Sequence, residues 1–245
     1  KVISRFHGGM MNQSYLVLIN NKKHVLYLPT SQANEMVNRL EEMINHKRVN
    51  KLGLTYKNIY FDVEKGIKIN EYVPGNSLNQ ISQYNFEKIA KLLQNLHKSP
   101  EISEIDYCPF DRLITFEKER ETLTDYLDIH YSTLRNVVFD NIDFLKKDKL
   151  VLSHNDFQKS NIIQTPEDEY FMIDFEFMMN NSPYYDIACF ANDNVSDGEK
   201  LLKCYFPNLS IDDFKKFYLW RIFISLQWHN VAIIKHYRGE GEKHH

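Results

Sequence analysis

Three side chains with oxygen donors stand at fixed intervals in the second half of the chain: Asp156, Asn161 five residues later, and Asp174 thirteen beyond that. They sit in Ser153-His154-Asn155-Asp156-Phe157-Gln158-Lys159-Ser160-Asn161 and Ile173-Asp174-Phe175-Glu176, among short apolar runs at Lys149–Leu152, Ile162–Ile163 and Tyr170–Ile173. One such residue in a loop is ordinary turn chemistry. The ordered trio is what moving a phosphoryl group onto a hydroxyl requires. One carboxylate faces the attacking hydroxyl, and an amide and a second carboxylate hold Mg2+ on the nucleotide phosphates. The spacing predicts Asp156 as catalytic base, orienting the acceptor hydroxyl for in-line attack on the γ-phosphate of ATP. Asn161 and Asp174 are predicted to bind Mg2+, which takes hard oxygen ligands and shares them with phosphate.

Such groups need elements to hold them. Val2–Phe6 and Ser14–Ile19 flank Gly8-Gly9, and Asn20-Asn21-Lys22-Lys23 turns the chain into a third strand, His24–Leu28. A helix is predicted from about Ala33 to Lys51, with Met36, Val37, Leu40, Met43 and Ile44 forming its apolar face. Two more strands, Asn58–Asp62 and Gly66–Asn70, lead into Glu71-Tyr72-Val73-Pro74-Gly75, an extended segment broken by Pro-Gly that marks the best boundary. Beyond it the pattern is helical over Asn85–His97 and, with interruptions, Arg112–Phe144. Ser196-x-x-Glu199 and Ser210-x-x-Asp213 read as capping-box starts of two last helices, the second stopping near Gly239. This order is that of an α+β, bilobal protein-kinase-like fold. Residues 1–72 would form a small β-rich nucleotide-binding lobe with one main helix, and residues 73–245 a larger, mainly helical catalytic and substrate-binding lobe.

The net charge of −3 gives no electrostatic reason to expect nucleic acid or an anionic membrane as partner. No apolar run approaches the ~18 residues that span a bilayer and no signal peptide opens the sequence. Cys108, Cys189 and Cys204 are widely spaced and without CxxC, reading as reduced thiols, so a cytoplasmic location is expected.

On these residues the chain resembles the aminoglycoside phosphotransferase/choline kinase superfamily, and within it the bacterial choline/ethanolamine kinases. His154-Asn155-Asp156-x-Gln158-x-x-Asn161 is similar to the choline-kinase form of the loop, where aminoglycoside kinases usually have Gly after the His and a second His at Gln158. Ile173-Asp174-Phe175-Glu176, with Asn181, Pro183 and Asp186-Ile187-Ala188, matches the choline-kinase run. Gly8-Gly9-Met10-Met11-Asn12 and Gly66-Ile67-Lys68-Ile69-Asn70-Glu71-Tyr72 are also similar to the bacterial members.

The resemblance implies further roles. Glu176 would reach a metal, or else pair with a base such as Lys159. His154 would support the loop, and Asp186 would buttress it through backbone contacts. Gly8 and Gly9 would let backbone N–H groups approach phosphate, with Asn12 and Ser14 adding donors. Glu71–Val73 would meet adenine as kinase hinges do, and Glu42 resembles the helix glutamate that pairs with a cation on the third strand. At that third-strand position the relatives carry Arg or Lys, whereas this chain has Tyr27. Either Lys22, Lys23 or Arg39 reaches in, or nucleotide binding is weak, which keeps a non-catalytic pseudokinase in view. For the acceptor, a quaternary ammonium is held by aromatic faces and a carboxylate. Phe177 and Asp193 are expected to contribute, with Trp228 the best cage residue and Trp220 next; an aromatic stripe of helical spacing is also what a core helix carries. The implied reaction is phosphorylation of choline by ATP with Mg2+, giving phosphocholine and ADP. Ethanolamine, thiamine or an aminoglycoside are the alternative acceptors.

Overall fold

The computed structural model describes residues 1–6, 12–30, 33 and 37–239. Strands β1 (Val2–Phe6), β2 (Asn12–Ile19) and β3 (Lys22–Pro29) precede helix α1 (Arg39–Lys51), and β4 (Asn58–Asp62) and β5 (Ile67–Glu71) follow it. They form one antiparallel sheet in the order β1-β2-β3-β5-β4. Asn20 and Asn21 make the β2–β3 turn with φ of 48° and 60°. That left-handed pair matches strand twist, and Asn tolerates it better than most residues. On β5 the register places Lys68 opposite Tyr27 and Asn70 opposite Val25 of β3.

Helix α1 differs from expectation. Leu40 is 52% exposed, and the buried residues are Arg39, Glu42, Asn45, His46 and Val49. The spacing of three to four is as expected, but the inward face is polar because it looks onto a polar site. Asn45 Nδ2, for example, donates to the Met178 carbonyl at 2.8 Å.

After the hinge come β6 (Asn76–Ser77), α2 (Phe86–His97), α3 (Pro109–Leu123), α4 (Tyr131–Phe139) and the short α5 (Ile142–Leu145). Gly75 is needed here, because a Cβ would lie 2.6 Å from the Gln164 carbonyl oxygen. That close approach lets β6 pair with β8 (Ile162–Gln164), which also pairs with β9 (Tyr170–Met172). β7 (Val151–Ser153) pairs with β10 (Met179–Asn181). Helices α6 (Pro183–Phe190), α7 (Val195–Tyr205) and α8 (Ile211–Arg238) complete the chain.

The C-terminal core gathers Leu93 and Leu96 of α2, Ile187 and Phe190 of α6, and Phe217 and Phe223 of α8, all fully buried. Burying each such side chain is worth ~1.5–3 kcal/mol, so the loops between β7 and α6 hang from a rigid base. Helix α8 starts at the expected Ser210/Asp213 capping box and ends at Gly239, whose φ of 70° suits a C-cap glycine. Helix α7 corrects the other capping expectation. Its N-cap is Asn194, which accepts from Ser196 N at 3.0 Å, not Ser196. No helix among the described residues is long and apolar enough to cross a membrane.

Candidate active site

The β7–β8 loop carries Asp156 and Asn161, and the β8–β9 hairpin returns the chain so that Asp174 meets them, with Ile173 N donating to the Asn161 carbonyl at 2.9 Å. Two backbone reversals make the approach possible: Asn155 and Asp174 have φ of 62° and 70°. Asp186, at the start of α6, anchors the loop by accepting from His154 N at 2.8 Å and Asn155 N at 2.7 Å. His154 is buried and donates from Nε2 to the Ile173 carbonyl at 2.9 Å, tying loop to loop. Burial holds its imidazole below the usual value, so it is a neutral strut.

Asp156 faces the cleft. Its Oδ1 accepts from Gln158 Nε2 at 2.7 Å and its Oδ2 from Asn161 Nδ2 at 2.8 Å. Burial, reinforced by the charge of Asp174, pushes its carboxyl up to about 8. Beyond it, carboxylate oxygens of Glu42, Asp174 and Glu176 lie within 4.8 Å of one another. Burial and the neighbouring Asp174 raise Glu176 to about 9, and burial raises Asp174 as well. Glu176 Oε2 is buried with no hydrogen-bond partner. Crowded, hard, partly orphaned oxygens fit a divalent cation better than they fit an empty pocket. Lys159 is not the partner of Glu176: it holds Asp197 at 2.7 Å and Asp193 at 3.1 Å.

The third-strand cation comes from the next strand. Lys68 of β5 is buried, ion-pairs with Glu42, and sets its Nζ 4.0 Å from Asp174 Oδ1 and 5.0 Å from the Tyr27 ring centre. Burial alone would discharge this lysine, but Glu42 and Asp174 outweigh it and hold its pKa above the ordinary value. Burial also works against the Glu42 carboxylate, yet Lys68 and Arg39 keep it ionised, with Arg39 Nη1 donating to Oε2 at 2.8 Å. Of the three candidates weighed from sequence, Arg39 does reach Glu42, while Lys22 and Lys23 are exposed. Residues 68 and 70 share one face of β5, and that face looks into the cleft.

A cleft of about 840 Å3 runs from this crevice in both directions. Towards the sheet it is lined by Asn12, Ser14, Val25, Tyr72 and Val73, with Ile163 and Ile173 opposite. Glu71 does not line it; the residue is exposed and its N–H donates to the Lys57 carbonyl at 2.9 Å. Gly8 and Gly9 lie outside the described residues. Towards α8 the lining is Tyr107, Arg112, Phe116, Phe177, Tyr185 and Trp228.

Two expected acceptor residues are not there. Trp220 is 2% exposed and packs among Phe110, Tyr185 and Phe223. Eight residues along a helix turn the face by ~80°, so Trp220 points to the core and Trp228 to the cleft. Asp193 is exposed beyond α6, is held by Lys159 and does not line the cleft.

The family model for choline/ethanolamine kinases matches residues 3–212. The chain belongs to the choline/ethanolamine kinase family. A LicA protein of Haemophilus influenzae is 28% identical over 188 residues, which is 74% of this chain and 55% of that protein. The matched stretch thus spans little more than half of that relative. Among solved structures, the choline kinase LicA of Streptococcus pneumoniae superposes with a TM-score of 0.78 at 27% identity, covering 99% of this chain and 89% of its own. A LicA structure in complex with AMP gives 0.76 at 27% identity, covering 98% and 86%. The kinase-like fold expected from the element order is the fold of this family.

Proposed function

We propose that the chain transfers the γ-phosphoryl group of ATP to the hydroxyl of choline, giving phosphocholine and ADP. The observation that carries this reading is the convergence of Asp156, Asn161 and Asp174 in one cleft, with a hinge slot on one side and an aromatic chamber on the other. The adenine would lie between Val25 and Ile173 against the hinge at Tyr72–Val73, which line the same end of the cleft. Residues 1–72 then act as the nucleotide lobe and the remainder as the catalytic and acceptor lobe.

Asp156 would face the acceptor hydroxyl across a hydrogen bond and receive its proton as the oxygen attacks in line. The hydrogen bonds from Gln158 and Asn161 fix the carboxylate direction. Asn161, Asp174 and Glu176 would hold Mg2+, which when bound neutralises the phosphate charge. Lys68, anchored by Glu42, presents the remaining positive charge to the phosphates, so Tyr27 does not leave the site without a cation. That removes the motive for a pseudokinase reading. Most of the rate would come from positioning and from charges fixed in advance.

Protein incubated with ATP, Mg2+ and choline should release ADP, and Asp156→Asn should lower the turnover by about a thousandfold or more while leaving nucleotide affinity in place. A panel including ethanolamine, thiamine and an aminoglycoside reads the acceptor; efficient turnover of one of those with none for choline would replace the assignment.

A further inference from the structure

At the acceptor end of the cleft a cation is already in place. Arg112, in the first turn of α3, sets its guanidinium carbon 5.0 Å from the ring centre of Phe177, 5.2 Å from Tyr107 and 5.8 Å from Phe116. All three distances fall within the ~6 Å over which a cation is attracted to an aromatic face. Arg112 and the three rings line the cleft. Asp156 lines the same cleft.

Among the described residues, no carboxylate pairs with the guanidinium there. Glu117, Glu119 and Glu121 of the same helix pair with Arg135, Arg238 and Arg120 respectively. Arg112 Nε is buried with no hydrogen-bond partner. The rings therefore carry the contact, and they are the faces a quaternary ammonium would need.

We propose that Arg112 is a tethered competitor of the cationic acceptor. Its guanidinium covers the aromatic faces of the empty site and leaves them when an ammonium group enters, because two cations cannot share one box without repulsion. The inference rests on the reading of the acceptor as a small quaternary amine. A tethered competitor scales the affinity of every cation by the same factor, which separates this role from a contact made with choline itself.

Calorimetry of the whole protein with tetramethylammonium tests this without any turnover. Arg112→Met should bind it about tenfold more tightly than the wild type, and the choline KM should fall by the same factor with the ATP KM unmoved. Free guanidinium ion should become a competitive inhibitor against choline in Arg112→Met and have little effect on the wild type. Arg112→Gln, which keeps length and loses charge, should tighten likewise and serves if the Met variant is unstable. Unchanged or weaker cation binding in a folded variant overturns the proposal, as does binding of tetramethylammonium by neither protein. If choline is not phosphorylated yet tetramethylammonium binding tightens, the acceptor assignment fails and the role of Arg112 stands.

Discussion

The two ends of the cleft handle charge in opposite ways. At the phosphate end, Glu42, Asp174 and Glu176 crowd their oxygens within 4.8 Å, with Lys68 against Glu42 and Asp174 and Arg39 behind Glu42. At the acceptor end, aromatic rings surround a single arginine, Arg112, and no carboxylate of α3 balances it. Binding at the first end supplies positive charge to oxygens that lack it. Binding at the second exchanges one cation for another. On the proposed reading, a phosphoryl donor with its metal and a cationic alcohol would meet pockets prepared with opposite deficits, with Asp156 between them.

The sharpest way to break the comparison is at Lys68. Lys68→Met should lower kcat/KM for ATP by about a hundredfold and leave cation binding at the acceptor end untouched. Because Tyr27 faces Lys68 across the strand pair, Tyr27→Lys added to that variant should recover part of the loss. Steady-state kinetics on the two variants decides this. Full ATP affinity in Lys68→Met would mean that the phosphates meet another cation.

The two tryptophans sharpen the other end. Trp228→Ala should raise the choline KM by about tenfold with little change in melting temperature. Trp220→Ala should do the reverse, destabilising the fold by about 3–5 kcal/mol through the cavity it leaves while the choline KM of the folded fraction stays the same. Equal effects of the two variants on KM would undo the separation of core face from cleft face on α8.

What could be read from the sequence follows the same divide. Asp156, Asn161 and Asp174 are legible because local spacing and flanking strands fix them in one short stretch of chain. The α8 capping box is legible for the same reason: Ser210 and Asp213 are three residues apart. The residues that misled depend on tertiary facing. Helix α1 kept its period but not its polarity, since hydrophobicity says nothing about a face that lines a site. Trp220 and Trp228 differ only by rotation around one helix. Lys68 was hidden because strand pairing, not sequence distance, brings position 68 beside position 27. Arg112 was unmarked altogether, as its rings come from the α2–α3 connection, α3 and the turn after β9.

The smallest predicted effect concerns the unbalanced charge of the phosphate end. Burial and Asp174 raise the Glu176 carboxyl to about 9 from an ordinary value of 4.5. In the unfolded chain this group loses its proton near the ordinary value, so between the two values folding takes up a proton. A carboxyl shifted in this direction favours the folded state most below about pH 4.5, and that contribution is lost as pH climbs towards about 9, beyond which the slope vanishes. Glu176→Gln removes the titration without removing the shape. The metal-free variant should therefore show a flatter melting temperature across that window and should exceed the wild type by about 3–5 °C near its upper end. Asp156, raised to about 8, keeps a residual slope of the same sign in both proteins. Added Mg2+ and nucleotide should narrow the gap, because the wild-type carboxylate then has a cation to meet and the amide is a poorer ligand. Melting curves that stay parallel across the window, with and without Mg2+, would show that Glu176 does not belong to the oxygen-rich pole of the cleft.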